Sequence, residues 1–185
     1  MAVRQVLQIG NPLLREPARE VATSELGSAA LRLLVEDLVD TMQSAGGIGI
    51  AAPQIGMPVR AAVIEIDAAS DRYPSSHAFP RLVMINPRIT VVAEAEQGFW
   101  EGCLSVPNLR GLVFRPRRVH VDYFDIDGGA HTLDAEGFLA TVFQHELDHL
   151  DGVLFVDRVK DTTRLATVEN YLRYWLETTE DPAEI

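Results

Sequence analysis

Two histidines four residues apart lie inside a segment that is otherwise almost wholly apolar, and this pattern constrains the chain more than any other. Residues 136–150 have helical periodicity with apolar side chains on nearly every face, which is typical of a helix in a protein interior. Because residues four apart share a helix face, His145 and His149 point the same way, with Glu146 beside them. Burial of these polar groups is costly unless something compensates for it, and a divalent metal ion does so. The pattern H-E-x-x-H therefore predicts a metal site.

Two histidines need a further ligand, and its identity distinguishes the classes of protein that carry this pattern. A third histidine six residues after the second is excluded, because that position is Phe155. Glu169, in the next predicted helix, would complete the site of a peptide-cleaving zinc hydrolase. His120 or His131 would close a non-catalytic structural site. Cys103 is the third candidate, because a thiolate binds such ions strongly. Three protein ligands would then leave one coordination position open, as catalysis requires.

Two other strings are unusual in their composition. Residues 47–54 read G-I-G-I-A-A-P-Q, and residues 101–105 read E-G-C-L-S. The glycines of the first string would suit an ordinary turn between a helix and a strand. They do not form a dinucleotide-binding fingerprint, because no strand precedes them and no third spaced glycine follows.

Composition excludes several classes of function. The net charge of −11 opposes direct nucleic-acid binding, because contacts to phosphates dominate that affinity. Four arginines in residues 110–118 are a local exception, which we interpret as a solvated strand edge. No apolar run is long enough to cross a membrane, and the first residues lack a targeting signal. With one cysteine there is no internal disulfide, so we expect a reducing compartment, the cytoplasm.

The remaining periodicity predicts an α+β fold. Ser28 predicts the N-cap of a helix that ends at Gly46 or Gly47, and a last helix is predicted over residues 163–176. Strands are predicted over residues 61–66, residues 82–95 as one bent strand or two, residues 119–126 and residues 130–133. Residues 67–80 are expected to be a loop. Short strands with grouped helices predict small antiparallel β-sheets packed around the buried central helix, plus an N-terminal and a C-terminal helix.

The three strings together resemble the peptide deformylase family. Its motifs are G-x-G-x-A-A-P-Q, E-G-C-x-S and H-E-x-x-H, and they are met in this order at residues 47–54, 101–105 and 145–149. Residues 11–15, N-P-L-L-R, are also similar to the N-terminal segment of the family. The resemblance implies one catalytic domain over residues 1–185. It also implies a metal-dependent hydrolase that removes the formyl group from the N-terminal formyl-methionine of newly synthesised polypeptides and releases formate.

The resemblance assigns roles to the residues of the motifs. Three side chains are implied as ligands of one divalent metal ion: Cys103, His145 and His149. Glu146 is implied as the general acid and base, while the side-chain amide of Gln54 and the backbone N–H of Leu104 are implied to hold the developing oxyanion. Fe(II) is the usual ion of the family, and Zn(II) and Ni(II) remain alternatives because a cysteine and two histidines suit them as well.

The expected partners are N-formylmethionyl nascent peptides, and eight residues are expected to contact them: Gly47, Ile48, Gly49, Glu101, Gly102, Arg110, Phe138 and Val142. Gly49 lacks a Cβ and so suits close approach of an extended peptide. Ile48, Phe138 and Val142 are expected to form an apolar pocket for methionine. Arg110 is expected near the mouth of the pocket, or else as a plain surface charge. Transient proximity to the ribosome is expected without docking through the acidic residues 177–185.

Overall fold

A computed structural model describes residues 2–67 and 78–176 of the chain. Six strands lie in these ranges: β1 (Gly49–Ala51), β2 (Ala61–Ile66), β3 (Phe79–Cys103), β4 (Val106–Phe124), β5 (Ala130–Glu136) and β6 (Leu165–Thr167). The α-helices of the same ranges are α1 (Ala29–Ser44), α2 (Phe138–Leu150) and α3 (Val168–Tyr174). Short 3-10 helices connect them, one of which, Ala52–Ile55, directly follows β1.

The strands form one antiparallel sheet, so the expectation of several small sheets is wrong. The strand order is β1-β2-β3-β4-β5, and β6 also pairs with β4. β3 is 25 residues long and β4 is 19. Because they are so long, β3 and β4 each pair with different strands along their course. They thereby join segments that would otherwise form separate sheets. Four register shifts between β3 and β4 allow the long pair to bend.

The sheet lies between α1 and α2. Alternate residues of β2 point to opposite faces of the sheet, as in any strand. On one face Ile64 packs with Phe143 and Leu147 of α2. On the other face Val63 packs with Leu38 of α1. Ten residues of α2 are buried, and this agrees with the apolar character of its sequence on nearly every side.

Two predicted elements begin where the sequence indicated, and a third begins two residues later. The Oγ of Ser28 accepts a hydrogen bond from the backbone N–H of Leu31 at 3.2 Å, and α1 begins at the next residue, as its cap predicts. The strand predicted over residues 61–66 is β2. The central helix begins two residues later than predicted, because Gly137 has a positive φ of 64°.

Several predicted segments are wrong in extent. The strand predicted over residues 119–126 is the end of the longer β4, and the strand predicted over residues 130–133 continues to Glu136 as β5. The strand predicted over residues 82–95 belongs to the longer β3, which already begins at Phe79 within the predicted loop. The C-terminal helix predicted over residues 163–176 is a 3-10 turn, then β6, then α3, because pairing with β4 takes up the first part of the segment. Residues 68–77 of the predicted loop and the acidic residues 177–185 lie outside the described residues.

No helix of the described ranges is long and apolar enough to cross a membrane.

Candidate metal centre and active site

Two elements distant in sequence bring the predicted metal ligands together. α2 carries His145 and His149, and β3 ends at Cys103. The Sγ of Cys103 lies 3.2 Å from the Nε2 of His149, and one ligand atom from each of the three residues lies within 4.8 Å of the others. Metal–ligand bonds of about 2.0–2.3 Å place neighbouring ligands about 3–4 Å apart, so this donor set suits a single ion. Within the described ranges it is the one such group of three or more potential ligands.

The orientation of His145 is set by a carboxylate behind it. The Nδ1 of His145 lies 2.7 Å from the Oε2 of Glu101. Since an ionised carboxylate accepts, Nδ1 donates a hydrogen bond to Glu101, and Nε2 is the ring nitrogen that remains for a metal. Burial raises the pKa of Glu101, but hydrogen bonds from His145 and Arg115 outweigh it and hold that pKa at about 2. Glu101 therefore keeps one imidazole in the tautomer and orientation of a ligand.

Arg115 is one of the residues of the site that the sequence analysis missed. Its Nε and Nη2 lie 2.6 Å and 3.1 Å from the two carboxylate oxygens of Glu101, and its Nη1 lies 2.8 Å from Asp148. Arg110 and Arg115 are both buried, so the interpretation of residues 110–118 as a solvated edge is wrong for these two, whereas Arg117 and Arg118 are exposed as expected. At Arg110, β4 pairs with β6. Arg115 lies between the residues that pair with β6 and those that pair with β5, and its guanidinium is buried between the carboxylates of Glu101 and Asp148. A signal for Arg115 was present in the sequence: Asp148 lies in the buried helix, and a buried carboxylate requires a cationic partner.

The thiol of Cys103 is polarised by its surroundings. Burial raises its pKa, but the neighbouring imidazoles of His149 and His145 outweigh burial and hold the pKa of the thiol well below its usual range. Two further donors approach the sulfur: the Nε2 of Gln54 at 3.5 Å and the backbone N–H of Ser105 at 3.4 Å. These surroundings favour the thiolate, the form that binds metal ions.

Gln54 is fixed beside this sulfur by the short helix that follows β1. Its Oε1 accepts from the backbone N–H of Ala51 at 2.8 Å, and its Nε2 donates to the Oγ of Ser105 at 3.1 Å. These two bonds orient the amide group with its donor towards Cys103. Leu104, the other predicted oxyanion donor, follows Cys103 in the two-residue link between β3 and β4.

Glu146 faces the same space from α2. Its side chain is buried, and its Oε2 has no hydrogen-bond partner among the described residues. Burial is the main reason that its pKa is raised, to about 7. A carboxyl group of this kind exchanges protons readily near neutral pH, as a general acid and base must.

The comparisons with known proteins agree with this geometry. A family model described as polypeptide deformylase matches residues 3–165. The chain belongs to the peptide deformylase family. Peptide deformylases are metallohydrolases that remove N-terminal formyl groups. A peptide deformylase of Leptospira biflexa is 44% identical over 88% of this chain and 90% of its own length.

Solved structures of peptide deformylases have the same fold. The Met-Ala-Ser-bound class I type b enzyme of Acinetobacter baumannii superposes with a TM-score of 0.83 and is 37% identical, over 85% of this chain and 99% of that one. The enzyme of Legionella pneumophila superposes with a TM-score of 0.74 and is 39% identical, over 88% of this chain and 89% of that one.

A cavity opens beside the metal centre, as a peptide deformylase needs for its substrate. Seven of the eight predicted substrate contacts line it: Gly47, Ile48, Gly49, Glu101, Gly102, Phe138 and Val142. Both carboxylate oxygens of Glu101 are engaged by His145 and Arg115, so this side chain orients the site from behind. Phe99, Trp100 and Thr141 also line the cavity and were not predicted.

Arg110 lies behind the cavity wall, not in it. A Cβ built on Gly102 would lie 2.7 Å from the Cζ of Arg110, so the glycine leaves room for the guanidinium. A larger residue at position 102 would collide with Arg110, and this explains why the motif E-G-C-x-S has a glycine there in this chain.

The rival third ligands lie elsewhere. Glu169 is an exposed residue in the first turn of α3. His120 pairs with Asp134 at 2.7 Å, and His131 pairs with Asp125 at 2.7 Å. None of the three belongs to the group of potential ligands around Cys103.

Proposed function

We propose that this chain is a single catalytic domain over residues 1–185 that removes the formyl group from N-terminal formyl-methionine of nascent polypeptides. The observation that carries the proposal is the meeting of one thiolate and two imidazoles beside a buried carboxyl group. Three protein ligands leave a position for the reactants, and this is typical of catalytic sites. Cys103, His145 and His149 are the proposed ligands.

We propose one divalent ion per chain, Fe(II) in the cell, with Zn(II) or Ni(II) as substitutes. The donor set supports such an ion, because thiolate and imidazole are the ligands that these metals share. When bound, the ion supplies Lewis acidity, which polarises the formyl carbonyl and makes water a stronger nucleophile.

Side-chain and backbone groups of the protein transfer the protons and stabilise the negative charge that develops on the formyl oxygen. Glu146 takes a proton from the attacking water and delivers it to the departing amine nitrogen. The side-chain N–H of Gln54 and the backbone N–H of Leu104 donate to the oxygen that becomes negative during the attack. Donors aimed in this way are each worth roughly 10²–10³ in rate. The products are formate and a peptide with a free N-terminal methionine.

The cavity supports a peptide with an N-terminal methionine as substrate. Its walls include Ile48, Phe138 and Val142, and the rings of Phe99 and Phe138 pack edge to face with centroids 5.6 Å apart. The related Acinetobacter baumannii structure is described as bound to Met-Ala-Ser, a peptide of the kind that deformylation leaves. We place the reaction in the cytoplasm, in transient proximity to the ribosome, where formylated chains emerge.

The test is formate release from formyl-Met-Ala by the purified chain under anaerobic conditions, after loading with Fe(II), Ni(II) or Zn(II) in turn. We expect stoichiometric formate and Met-Ala, with the highest kcat for Fe(II). Oxygen is excluded because oxidation of Fe(II) or of the Cys103 thiolate would mimic an inactive protein. Cleavage of the Met-Ala peptide bond without formate would instead support a peptidase, and the proposal would be wrong.

A further inference from the structure

Residues 2–9, which we call the N-terminal strap, bridge the two segments that carry the proposed oxyanion donors. The backbone N–H of Leu7 donates to the backbone carbonyl of Gln54 at 2.8 Å. The backbone N–H of Ile9 donates to the backbone carbonyl of Ser105 at 2.7 Å. Gln54 lies in the 3-10 helix that follows β1, whereas Ser105 lies in the two-residue link between β3 and β4. One short stretch of the strap therefore joins two segments that are distant in sequence.

The two carbonyls that the strap pairs with belong to buried residues. Gln54 is 1% exposed and Ser105 is 0% exposed. A buried backbone carbonyl without a donor is costly, so folded chains almost always pair such groups. The Nε2 of Gln54 also donates to the Oγ of Ser105 at 3.1 Å. The strap thus reinforces, from the backbone side, a contact that the two segments already make through their side chains.

A buried carboxylate of α1 anchors the beginning of the strap. Asp37 is 3% exposed, and its Oδ1 accepts from the backbone N–H of Ala2 at 3.0 Å. Its Oδ2 accepts from the Nε of Arg4 at 2.8 Å. One turn further along α1, the Oγ1 of Thr41 accepts from the backbone N–H of Arg4 at 2.9 Å. A carboxylate on the buried face of a helix is costly without such partners, and the proposed chemistry gives Asp37 no part in proton transfer.

The position of the strap matters because the two oxyanion donors must converge on one oxygen atom. Such donors act at about 2.7–3.1 Å from the oxygen that becomes negative. The side-chain N–H of Gln54 and the backbone N–H of Leu104 come from the two segments that the strap joins. Misplacement of a group by about 1 Å can lower a rate about 100-fold, even when its cause lies far from the chemistry. A loose strap would therefore weaken catalysis without removing a catalytic group.

We propose that Asp37 is a positioning residue for deformylation, because it anchors the N-terminal strap that holds Gln54 and Leu104 in register with each other. This inference rests on the proposed function. Asp37 acts through the strap, since its carboxylate contacts Ala2 and Arg4. The oxyanion develops only during the reaction, so loss of the anchor lowers kcat and leaves KM nearly unchanged.

The experiment measures kcat and KM for formyl-Met-Ala with the Fe(II) enzyme and three variants. Asp37→Leu removes the anchor but suits the buried face of α1, and kcat should fall about tenfold while KM changes less than about twofold. Asp37→Asn keeps an oxygen for the N–H groups of Ala2 and Arg4 and should retain most of the native kcat. Glu36→Leu is the matched control at the neighbouring, exposed position of α1 and should behave like the native chain.

A double variant distinguishes positioning from a general loss of structure. In Gln54→Ala one of the two positioned donors is already absent, so adding Asp37→Leu should lower kcat only about threefold or less. Hydrogen exchange gives a measurement that does not depend on turnover: the amides of Leu7 and Ile9 should exchange faster in Asp37→Leu than in Glu36→Leu. If Asp37→Leu does not fold, Arg4→Ala tests the same anchor, because the Arg4 side chain is 54% exposed.

The outcomes separate this inference from the proposed function. A native kcat in the anchor variant, a change confined to KM, or the same loss of kcat with and without Gln54→Ala would overturn the positioning role alone. No formate from the native chain would overturn the proposed function with it.

Discussion

Gly49 lies so close to Glu146 that no larger residue fits between β1 and α2. A Cβ built on Gly49 would lie 2.6 Å from the Cδ and 2.7 Å from the Cγ of Glu146. The second glycine of the G-x-G-x-A-A-P-Q motif therefore makes room for the proposed catalytic carboxylate, in addition to the approach of the substrate backbone that the resemblance implies.

Gly49→Ala should displace Glu146 and lower kcat at least about 100-fold, since a positioned general base contributes about 10²–10⁴ in rate. Metal content, measured by atomic absorption, should not change, because the ligands are not touched. Gly47→Ala is the matched comparison: its Cβ would meet only the far end of the Leu104 side chain at 2.9 Å, and Leu104 is only half-buried. A similar loss of kcat in both variants would contradict this role of Gly49.

Cys103→Ser should lose the metal, whereas Glu146→Gln should keep it. The hydroxyl of serine is a much poorer ligand than the thiolate that His145 and His149 stabilise in the native chain. We expect at least a tenfold weaker affinity for Zn(II) in Cys103→Ser, measured by competition with a chelator. Glu146→Gln should bind Zn(II) like the native chain and release no formate. Retention of metal and peptidase activity by Cys103→Ser would uphold the rival ligand Glu169.

Arg115→Ala should be strongly destabilising, because it removes the most deeply buried cationic partner of two buried carboxylates and leaves Glu101 with His145 and Asp148 with the half-exposed Arg158. Removal of one partner of a buried ion pair costs about 3–5 kcal/mol of unfolding free energy. Arg117→Ala is the control, since Arg117 forms an exposed pair with Glu136 at 3.4 Å and should matter by less than about 1 kcal/mol. Urea denaturation at pH 7 measures both, and equal midpoints in the two variants would contradict the prediction.

His120 should make stability depend on pH above about pH 6.5. It lies opposite Asp134 in the β4–β5 pairing, and the hydrogen bond that its Nδ1–H donates to that carboxylate raises the pKa of His120 above its usual value of about 6.5. A raised pKa in the folded state adds stability that is complete below about pH 6.5 and is lost as the pH rises through the raised pKa. The melting temperature of His120→Gln should therefore approach that of the native chain at high pH. A constant difference between pH 5 and pH 9 would be inconsistent with this pairing.

Helices and strands that form because of a strong local sequence signal were predicted well. The cap at Ser28 and the apolar spacing that follows it predict α1, and the apolar run at residues 61–66 predicts β2. Segments shaped by pairing with a distant partner were predicted less well. Leu165 and Val168 have helical spacing, yet the first belongs to β6 and the second to α3, because hydrogen bonds to β4 outweigh a weak local preference.

By itself, the sequence determined the chemical inventory of the site: a cysteine, two histidines four apart, a glutamate between them and a glutamine after two glycines. Helical spacing is local, so the shared face of His145 and His149 also followed from sequence. Only the tertiary structure decided that Arg115 lies behind Glu101 and that Trp175 lies on Trp100. Such pairs are separated along the chain, and their contact depends on the registers of β3, β4 and β6, which many side chains set together.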